Sequence, residues 1–486
     1  MTASVFRFVR CVRPDVLHQT PDARWSIPAP HGLWLRRWRA SWCLPSAVGA
    51  ACVVSLLMPG TAEAQTRLTL DEAVARGLAG AARLAEARGR VEAAAAAVSA
   101  RDTQSKPMLS ASSGFVRTNH VDEFGIRQPD GSLRVLFPDI PSNYRVRAEI
   151  GVPVYTAGRV QAAVDAARAD RDAAAADERT VRADIELEVA TAYWTLVTTR
   201  ARVTVLERAL GRSDQILGDV GARVDAGLLP PNERLTAQAQ RARQRVQLIQ
   251  AQNEAALAEA ALARLIRASP GERLEPTTPV AVPNARAESA ASRDAAAVAA
   301  EVAPGRSERQ AIDFRVRALR DASHALSAAT RPQVSLLAAV EPSRPNARFV
   351  PRVDEWNTSW DVGVNVTWTL WDGGRSRADR AVLTAQAGAL AARLGDIESG
   401  IALEIRQRQL DMASARAALA AVAEAVEAAT EARRVVGERF TAGVAVSADV
   451  LDSDVALLEA ELEGTRLQAA LRVAEARLVR AMGGRE

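Results

Sequence analysis

Two segments of the chain alternate apolar and polar residues over eleven positions each, at 144–154 and 360–370. A strict period of two predicts β-strands, and strands of this length cross a bilayer when they are tilted. The shorter alternating stretches at 109–115 and 334–340 are expected to be their hairpin partners. The polar face suits a water-filled lumen. A half-buried sheet in a soluble protein would also alternate, so that interpretation stays open.

Long stretches of helical composition follow both alternating segments. Residues 159–226 and 376–442 are almost free of helix-breaking residues, and at 1.5 Å per residue each predicts a helix of about 100 Å. No compact domain accommodates such a rod, so a coiled-coil assembly is expected. Two shorter helices, about 69–106 and 232–268, match one long rod when they are placed end to end.

The chain contains an internal duplication. Residues 153–159 resemble 369–375, and residues 223–227 resemble 439–443, in both cases at an offset of 216 residues. Two separate pairs of similar segments at the same offset indicate two copies of one structural unit. A third pair of similar segments is Lys106-Pro107 and Arg331-Pro332, at an offset of 225 residues. The first copy therefore contains nine extra residues after this point. A change of length at that point predicts a surface loop.

The duplication defines the expected organisation of the chain. The first structural repeat covers 65–268 and the second covers 294–486, each with a helix, a strand pair, a long helix and a further helix. Between them, 269–293 holds four prolines and reads as a linker. Four strands cannot close a barrel, and lipid does not tolerate open sheet edges. We therefore expect a mainly α chain that oligomerises, and a trimer would give a barrel of twelve strands.

The first 64 residues have the features of a secretory signal. Arg36 and two nearby arginines precede an apolar run at 47–58, and Ala62-Glu63-Ala64 supplies small residues for cleavage before Gln65. A membrane anchor is the alternative, although it would need a longer apolar run. Because the residue after the cleavage site is Gln, N-terminal lipidation is not expected.

Composition narrows the possible functions. All three cysteines lie in the first 64 residues, and the remainder carries 55 basic and 55 acidic side chains. Without cysteines, a disulfide framework or a thiolate centre is excluded after cleavage. Zero formal charge makes nucleic acid a poor candidate partner. Aromatic residues are only 4% of the chain, which fits long alanine-rich helices better than a bulky core.

The chain resembles the TolC-like outer-membrane efflux protein family over essentially all of 67–484. The resemblance is carried by the junction Leu370-Trp371-Asp372-Gly373-Gly374-Arg375 and by Ala442-Gly443-Val444, followed by Ala448-Asp449-Val450-Leu451-Asp452. It implies a homotrimer with a twelve-stranded outer-membrane β-barrel above a long periplasmic helical tunnel. It also implies an exit duct that docks a periplasmic adaptor and an inner-membrane pump.

Acidic residues near the second helix turn are the candidate constriction. Asp449 and Asp452 are three apart in the first turns of the last helix, so they share one face. In a trimer they would form stacked carboxylate rings that favour cations, and Glu233 occupies the matching place in the first copy. The resemblance implies that similar positions line the periplasmic constriction. The alternative is that acidic residues simply stabilise a helix N-terminus.

The same turn departs from the family pattern. The resemblance implies a Tyr and an Arg that bond neighbouring helices and hold the tunnel shut, but these positions are Phe440 and Ala445 here. We therefore expect other contacts to hold this tunnel, or a tunnel that leaks more at rest.

Glycines mark the two helix turns. Gly227 and Gly443 stand where a helix C-cap requires a positive φ, and Leu228 and Val444 follow them. The resemblance implies that adaptor hairpins dock at these turns. Plain helix caps are the simpler interpretation, and the two are compatible.

The junctions between strand and helix are also glycine-rich. Gly158-Arg159 and Gly373-Gly374-Arg375 predict a tight reversal where a Cβ atom would clash. A phosphate-binding loop is the alternative, but the Gly-x-x-x-x-Gly-Lys pattern is missing.

The sequence offers no catalytic, metal-binding or cofactor-binding residues. His120 and His324 are the only histidines after residue 64, and neither belongs to a His-x-x-x-His pair. We therefore expect a passive channel that needs no cofactor and is not an enzyme. A periplasmic coiled-coil adaptor or a structural scaffold of an export assembly is the alternative. An adaptor predicts a single hairpin with flanking β segments, and a scaffold predicts regular heptads without such strands.

Overall fold

The structure is a computed structural model that describes residues 65–280 and 283–484. The predicted signal segment and its cleavage site lie outside the described residues. All described residues belong to one structural unit.

Helices dominate this unit, and their order repeats once along the chain. The first repeat contains α1 Leu70–Gly80, α2 Ala82–Asp102, α3 Arg159–Asp225 and α4 Pro231–Ile266. Helix α5 Ala285–Ala291 follows in the segment between the repeats, and the second repeat contains α6 Ala295–Val302, α7 Ser307–Ala328, α8 Arg375–Thr441 and α9 Ser447–Ala481. The long helices α3 and α8 have 67 residues each, which confirms the two rods predicted from composition.

Eight strands complete the described part of the chain. They are β1 Gln65–Leu68, β2 Met108–Arg117, β3 Phe124–Arg127, β4 Leu133–Phe137, β5 Ser142–Tyr155, β6 Arg273–Pro276, β7 Gln333–Arg344 and β8 Asn357–Thr367. The order β2-β5-β7-β8 forms one antiparallel sheet. Strands β3 and β4 form a separate hairpin inside the loop that the nine extra residues predicted.

The apolar face of this sheet is exposed, most continuously along β8. Trp360, Val362, Val364 and Val366 are each more than 60% exposed. No element formed by the described residues covers them, which contradicts the alternative of a half-buried soluble sheet. The polar face carries Arg147, which bonds Asp361 on β8. No helix in the two described ranges has both the length and the apolar character needed to span a membrane.

Part of the Pro-rich segment between the repeats is ordered. Strand β6 pairs in parallel with β1, and Leu274 is only 1% exposed. The Tyr193 hydroxyl donates to the Leu68 carbonyl over 3.1 Å and accepts from the Thr278 amide over 2.9 Å. These contacts tie the segment to the middle of α3.

At three levels along the long helices, neighbouring elements stand side by side in the same order, from first-repeat elements at one side to second-repeat elements at the other. The strands run β2-β5-β7-β8, the helices nearer the sheet run α2-α3-α7-α8, and the helices nearer the turns run α4-α3-α9-α8. One lateral edge is therefore formed by β2, α2 and α4. The other is formed by β8 and α8 at every height.

Candidate tunnel constriction and helix turns

The two turns that join long and short helices have the same backbone geometry. Gly227 has φ +69° and Gly443 has φ +77°, as predicted. The Leu228 amide donates to the Arg223 carbonyl over 2.8 Å, and the equivalent Val444 amide donates to Arg439 over 2.9 Å. These bonds are typical of a Schellman motif that closes a helix C-terminus. Leu228 is 73% exposed and Val444 64%, so each turn presents an apolar tip.

The three predicted constriction residues have different surroundings. Asp449 and Asp452 are both exposed, and Asp449 accepts a hydrogen bond from the Val446 amide over 3.3 Å. Asp449 therefore caps its own helix, which the alternative interpretation anticipated, while its exposed carboxylate still faces water. Glu233 instead accepts a hydrogen bond from the Ser447 hydroxyl. The structure thus brings the first turn of α4 against the first turn of α9.

Arg223 links the two turns where the family pattern is missing. Its guanidinium lies 4.2 Å from the centre of the Phe440 ring. It also donates to the Phe440 carbonyl over 2.8 Å and to the Thr441 carbonyl over 3.4 Å. A cation that caps the open carbonyls of a helix C-terminus and stacks on an aromatic ring is doubly stabilising. Sequence reasoning missed this residue, although its duplicate, Arg439, was visible in the repeat.

A buried carboxylate connects four helices just above the turns. Asp454 on α9 is 1% exposed and lies 2.8 Å from Arg212 Nε on α3 and 3.2 Å from Arg433 Nε on α8. Gln244 on α4 donates to it over 3.3 Å. Burial lowers the pKa of Arg212, but Asp454 and Glu461 outweigh that effect and raise it.

The sequence contained one signal for this buried group. Asp454 stands three or four residues from Val450, Leu451, Leu457 and Leu458, all of which are buried. A carboxylate on the apolar face of a helix is expected to have a charged partner. Only the fold supplies the identity of that partner.

The strand-to-helix junctions confirm the predicted reversal but not the predicted clash. Gly158 and Gly374 have φ +82° and +86° and precede the first residues of α3 and α8, Arg159 and Arg375. Gly373 also has a positive φ. A Cβ added at any of these glycines would meet no atom within 4 Å. The backbone conformation itself therefore requires glycine, not the surrounding space.

The two described histidines, His120 and His324, lie in different elements of the chain. His120 Nδ1 lies 2.6 Å from Asp139 Oδ2 in the loop between β2 and β5, and His324 lies on α7. Across 65–280 and 283–484, no group of three His, Asp or Glu side chains is arranged to hold a metal ion.

Comparison with known proteins identifies the family. The model of the family described as outer membrane efflux protein matches residues 74–266 and 306–484. No curated protein matches the chain.

Solved channels share the fold. A membrane protein from Pseudomonas aeruginosa is 21% identical with a TM-score of 0.71, over 85% of this chain and 93% of that one. The outer membrane protein VceC from Vibrio cholerae is 20% identical with a TM-score of 0.69, over 85% and 96%. The MtrE outer membrane channel of Neisseria gonorrhoeae is 18% identical with a TM-score of 0.67, over 85% and 89%. With its family match spanning both repeats, this chain belongs to the outer membrane efflux protein family.

Proposed function

We propose that this chain is a homotrimeric outer-membrane exit duct of a tripartite export system. Membership of the family makes it an efflux protein of the outer membrane, and the fold that it shares with a solved outer membrane protein supports a helical tunnel and a β-barrel. The trimer, the periplasmic position of the helices, and the partnership with an adaptor and an inner-membrane pump are the proposed parts. Transport is passive in this proposal, and the pump supplies the energy.

The observation that carries the proposal is the pair of open lateral edges. At each height the chain ends on a first-repeat element at one side and on β8 or α8 at the other. Unpaired strand edges are not stable in lipid. Head-to-tail contact between copies would pair β8 of one with β2 of the next, and three copies would close a barrel of twelve strands.

Apolar stripes on the edge helices support the same contact. On α4 the exposed face, opposite the side packed on α3, carries Leu235, Val246, Ile249 and Leu257, each at least 50% exposed. At 100° per residue these four fall within about 80° of one another. On α8 the equivalent exposed stripe is formed by Leu403, Leu410 and Val435. We propose that the α4 stripe of one copy packs on the α8 stripe of its neighbour.

The turns are the proposed site of adaptor contact. Gly227-Leu228 and Gly443-Val444 form paired loops with apolar tips that no described residue covers. We propose that they dock the helical hairpin of a periplasmic adaptor. Asp449, Asp452 and Glu233 lie beside these turns and form the proposed periplasmic constriction.

The N-terminal segment completes the proposal. Residues 1–64 act as a secretory signal and leader, so that the helices reach the periplasm. Because cleavage leaves Gln65 first, the mature chain carries no lipid anchor. The repeats at 65–268 and 294–486 then each supply two strands to the barrel.

Ion selectivity tests the constriction. Asp449→Asn with Asp452→Asn removes six carboxylates per trimer, and the preference for cations over anions in planar bilayers should fall roughly twofold or more. The matched control is Glu424→Gln with Glu427→Gln, two exposed acids that are also three residues apart, about four turns before the end of α8. Equal effects of the two pairs, or no change in either, would contradict the assignment.

A further inference from the structure

A basic pocket lies just below the sheet, where α7 and α8 meet. Its volume is about 570 Å³, and its lining includes Arg320, His324 and Arg331 from the α7 side and Arg380 and Thr384 from α8. No Asp or Glu side chain lines it. The pocket therefore concentrates positive charge at the junction between the helices and the strands.

The three arginines of the pocket form no ion pair with any residue of the described ranges. Other arginines on the same helix are paired, since Arg315 contacts Asp177 and Arg317 contacts Asp313. All three arginines are exposed, so water weakens their mutual repulsion, and an anion bound between them would reduce it further. Guanidinium groups bind phosphate oxygens through two parallel hydrogen bonds.

The first repeat lacks this set of three arginines. At the duplicate positions of Arg320 and Arg380 stand Ala95 and Val164. The duplicate of Arg331 is Lys106, which pairs with Asp102 over 3.1 Å. The basic cluster is thus not a requirement of the repeated architecture.

The location of the pocket indicates the kind of anion. Arg331 lies two residues before β7, and the Trp368 indole just beyond β8 donates to the Thr330 carbonyl over 3.2 Å. Leu370 is 77% exposed and Trp371 86%. Exposed tryptophan rings of this kind sit at the boundary between lipid and water. The cluster therefore stands at headgroup level, beside a surface suited to acyl chains.

We propose that this pocket binds the phosphate of an anionic phospholipid from the periplasmic leaflet of the outer membrane. The guanidinium groups of Arg331 and Arg380 hold the phosphate between α7 and α8, and Trp368 and Trp371 contact the acyl chains. The inference rests on the proposed function, because it needs the strands to stand in the membrane. Basic pockets between helices at the membrane surface bind lipid headgroups in the same way.

Native mass spectrometry of the detergent-extracted full assembly tests the site. The wild type should retain phosphatidylglycerol in preference to phosphatidylcholine. Arg331→Gln with Arg380→Gln should weaken that retention about tenfold or more, since each substitution removes charged hydrogen bonds. The control, Arg208→Gln with Arg245→Gln, removes two exposed arginines of the tunnel helices that also form no ion pair among the described residues, and should retain the lipid like the wild type.

Several outcomes would overturn the inference. Undiminished phosphatidylglycerol retention by the double variant would do so, as would an equal loss in the control. Inorganic phosphate that displaces the lipid completely at equal concentration would assign the site to free phosphate. If the double variant does not assemble, Arg331→Gln alone should give a partial loss, and no loss would be contrary evidence.

Conductance of the same samples separates this inference from the proposed function. A wild type that neither conducts nor forms a trimer contradicts the channel itself. A conducting trimer whose lipid retention does not depend on Arg331 and Arg380 contradicts only the lipid site.

Discussion

At the scale of single residues, some important positions are determined by their neighbours in sequence, and others by partners from distant segments. Gly227 and Gly443 could be predicted because a helix C-cap is set by a few neighbouring residues and requires a positive φ. The partners of Asp454 could not, because they come from three other helices, up to 242 residues away in sequence. Arg223 was missed for the same reason, since its ring partner Phe440 belongs to the other repeat.

Asp454→Asn tests the buried cluster. The substitution keeps the size of the side chain but leaves Arg212 and Arg433 without their shared carboxylate, so the free energy of unfolding should fall by about 3–5 kcal/mol. Denaturant unfolding of the assembled protein in detergent measures the loss. Asp452→Asn, two residues away and exposed, is the control and should change stability by less than about 0.5 kcal/mol. Equal effects of the two variants would refute a stabilising role for the cluster.

At the scale of elements, composition predicted the long rods well and the short helices less well. The helix expected over 69–106 breaks at Ala81, whose backbone is extended, and its last regular turn ends at Asp102. Helix α1 packs on both α3 and α4, whereas α2 packs on α3, and the sequence pattern did not predict this change of direction. Strand β6 was not predicted, since it lies in a Pro-rich segment and its partner strand is about 200 residues earlier in the sequence.

A second charged cluster holds the elements together midway along the rods. Glu308 at the start of α7 contacts Arg306 over 3.1 Å and Arg480 of α9 over 2.6 Å. Arg306 also reaches Glu404 of α8, and Arg480 reaches Asp184 of α3. Four helices, α3, α7, α8 and α9, therefore meet through one network of alternating charge.

The pH dependence of stability tests this network. Burial raises the pKa of Glu308, but hydrogen bonds and charges from Arg306 and Arg480 outweigh it and lower the pKa to about 2 from its ordinary 4.5. Between these values the unfolded chain binds a proton that the folded chain does not, so stability is lost as the pH falls from 4.5 towards 2.

Glu308→Gln should remove that loss, which amounts to about 3 kcal/mol. The free energies of unfolding of the wild type and the variant, followed from pH 6 to pH 2, should converge at the acid end. Parallel curves over that range would show that the carboxylate of Glu308 is not held ionised by its neighbours.

At the scale of the whole molecule, the sequence predicted the class of assembly from strand length and duplication. It did not reveal which surfaces would meet, since the stripes on α4 and α8 emerge only once the buried faces are known. The order of elements at three heights places β2, α2 and α4 at one edge and β8 and α8 at the other. The proposed head-to-tail contact would therefore cover both edges along the entire length of the chain.

Ile249→Glu tests that contact. A carboxylate in the centre of the α4 stripe would be buried without a partner, so the trimer should dissociate at protein concentrations where the wild type stays intact. Gln247→Glu adds the same charge about 160° away around the helix from Ile249 and should leave the assembly unchanged. Native mass in detergent reads out both variants.

The most direct test of the central claim is the native mass of the wild-type protein extracted from separated outer and inner membranes. The account predicts a particle of three chains, found in the outer-membrane fraction. A single chain recovered from the soluble periplasm would contradict it, because the exposed apolar face of the sheet and both open edges would then have to be stable in water.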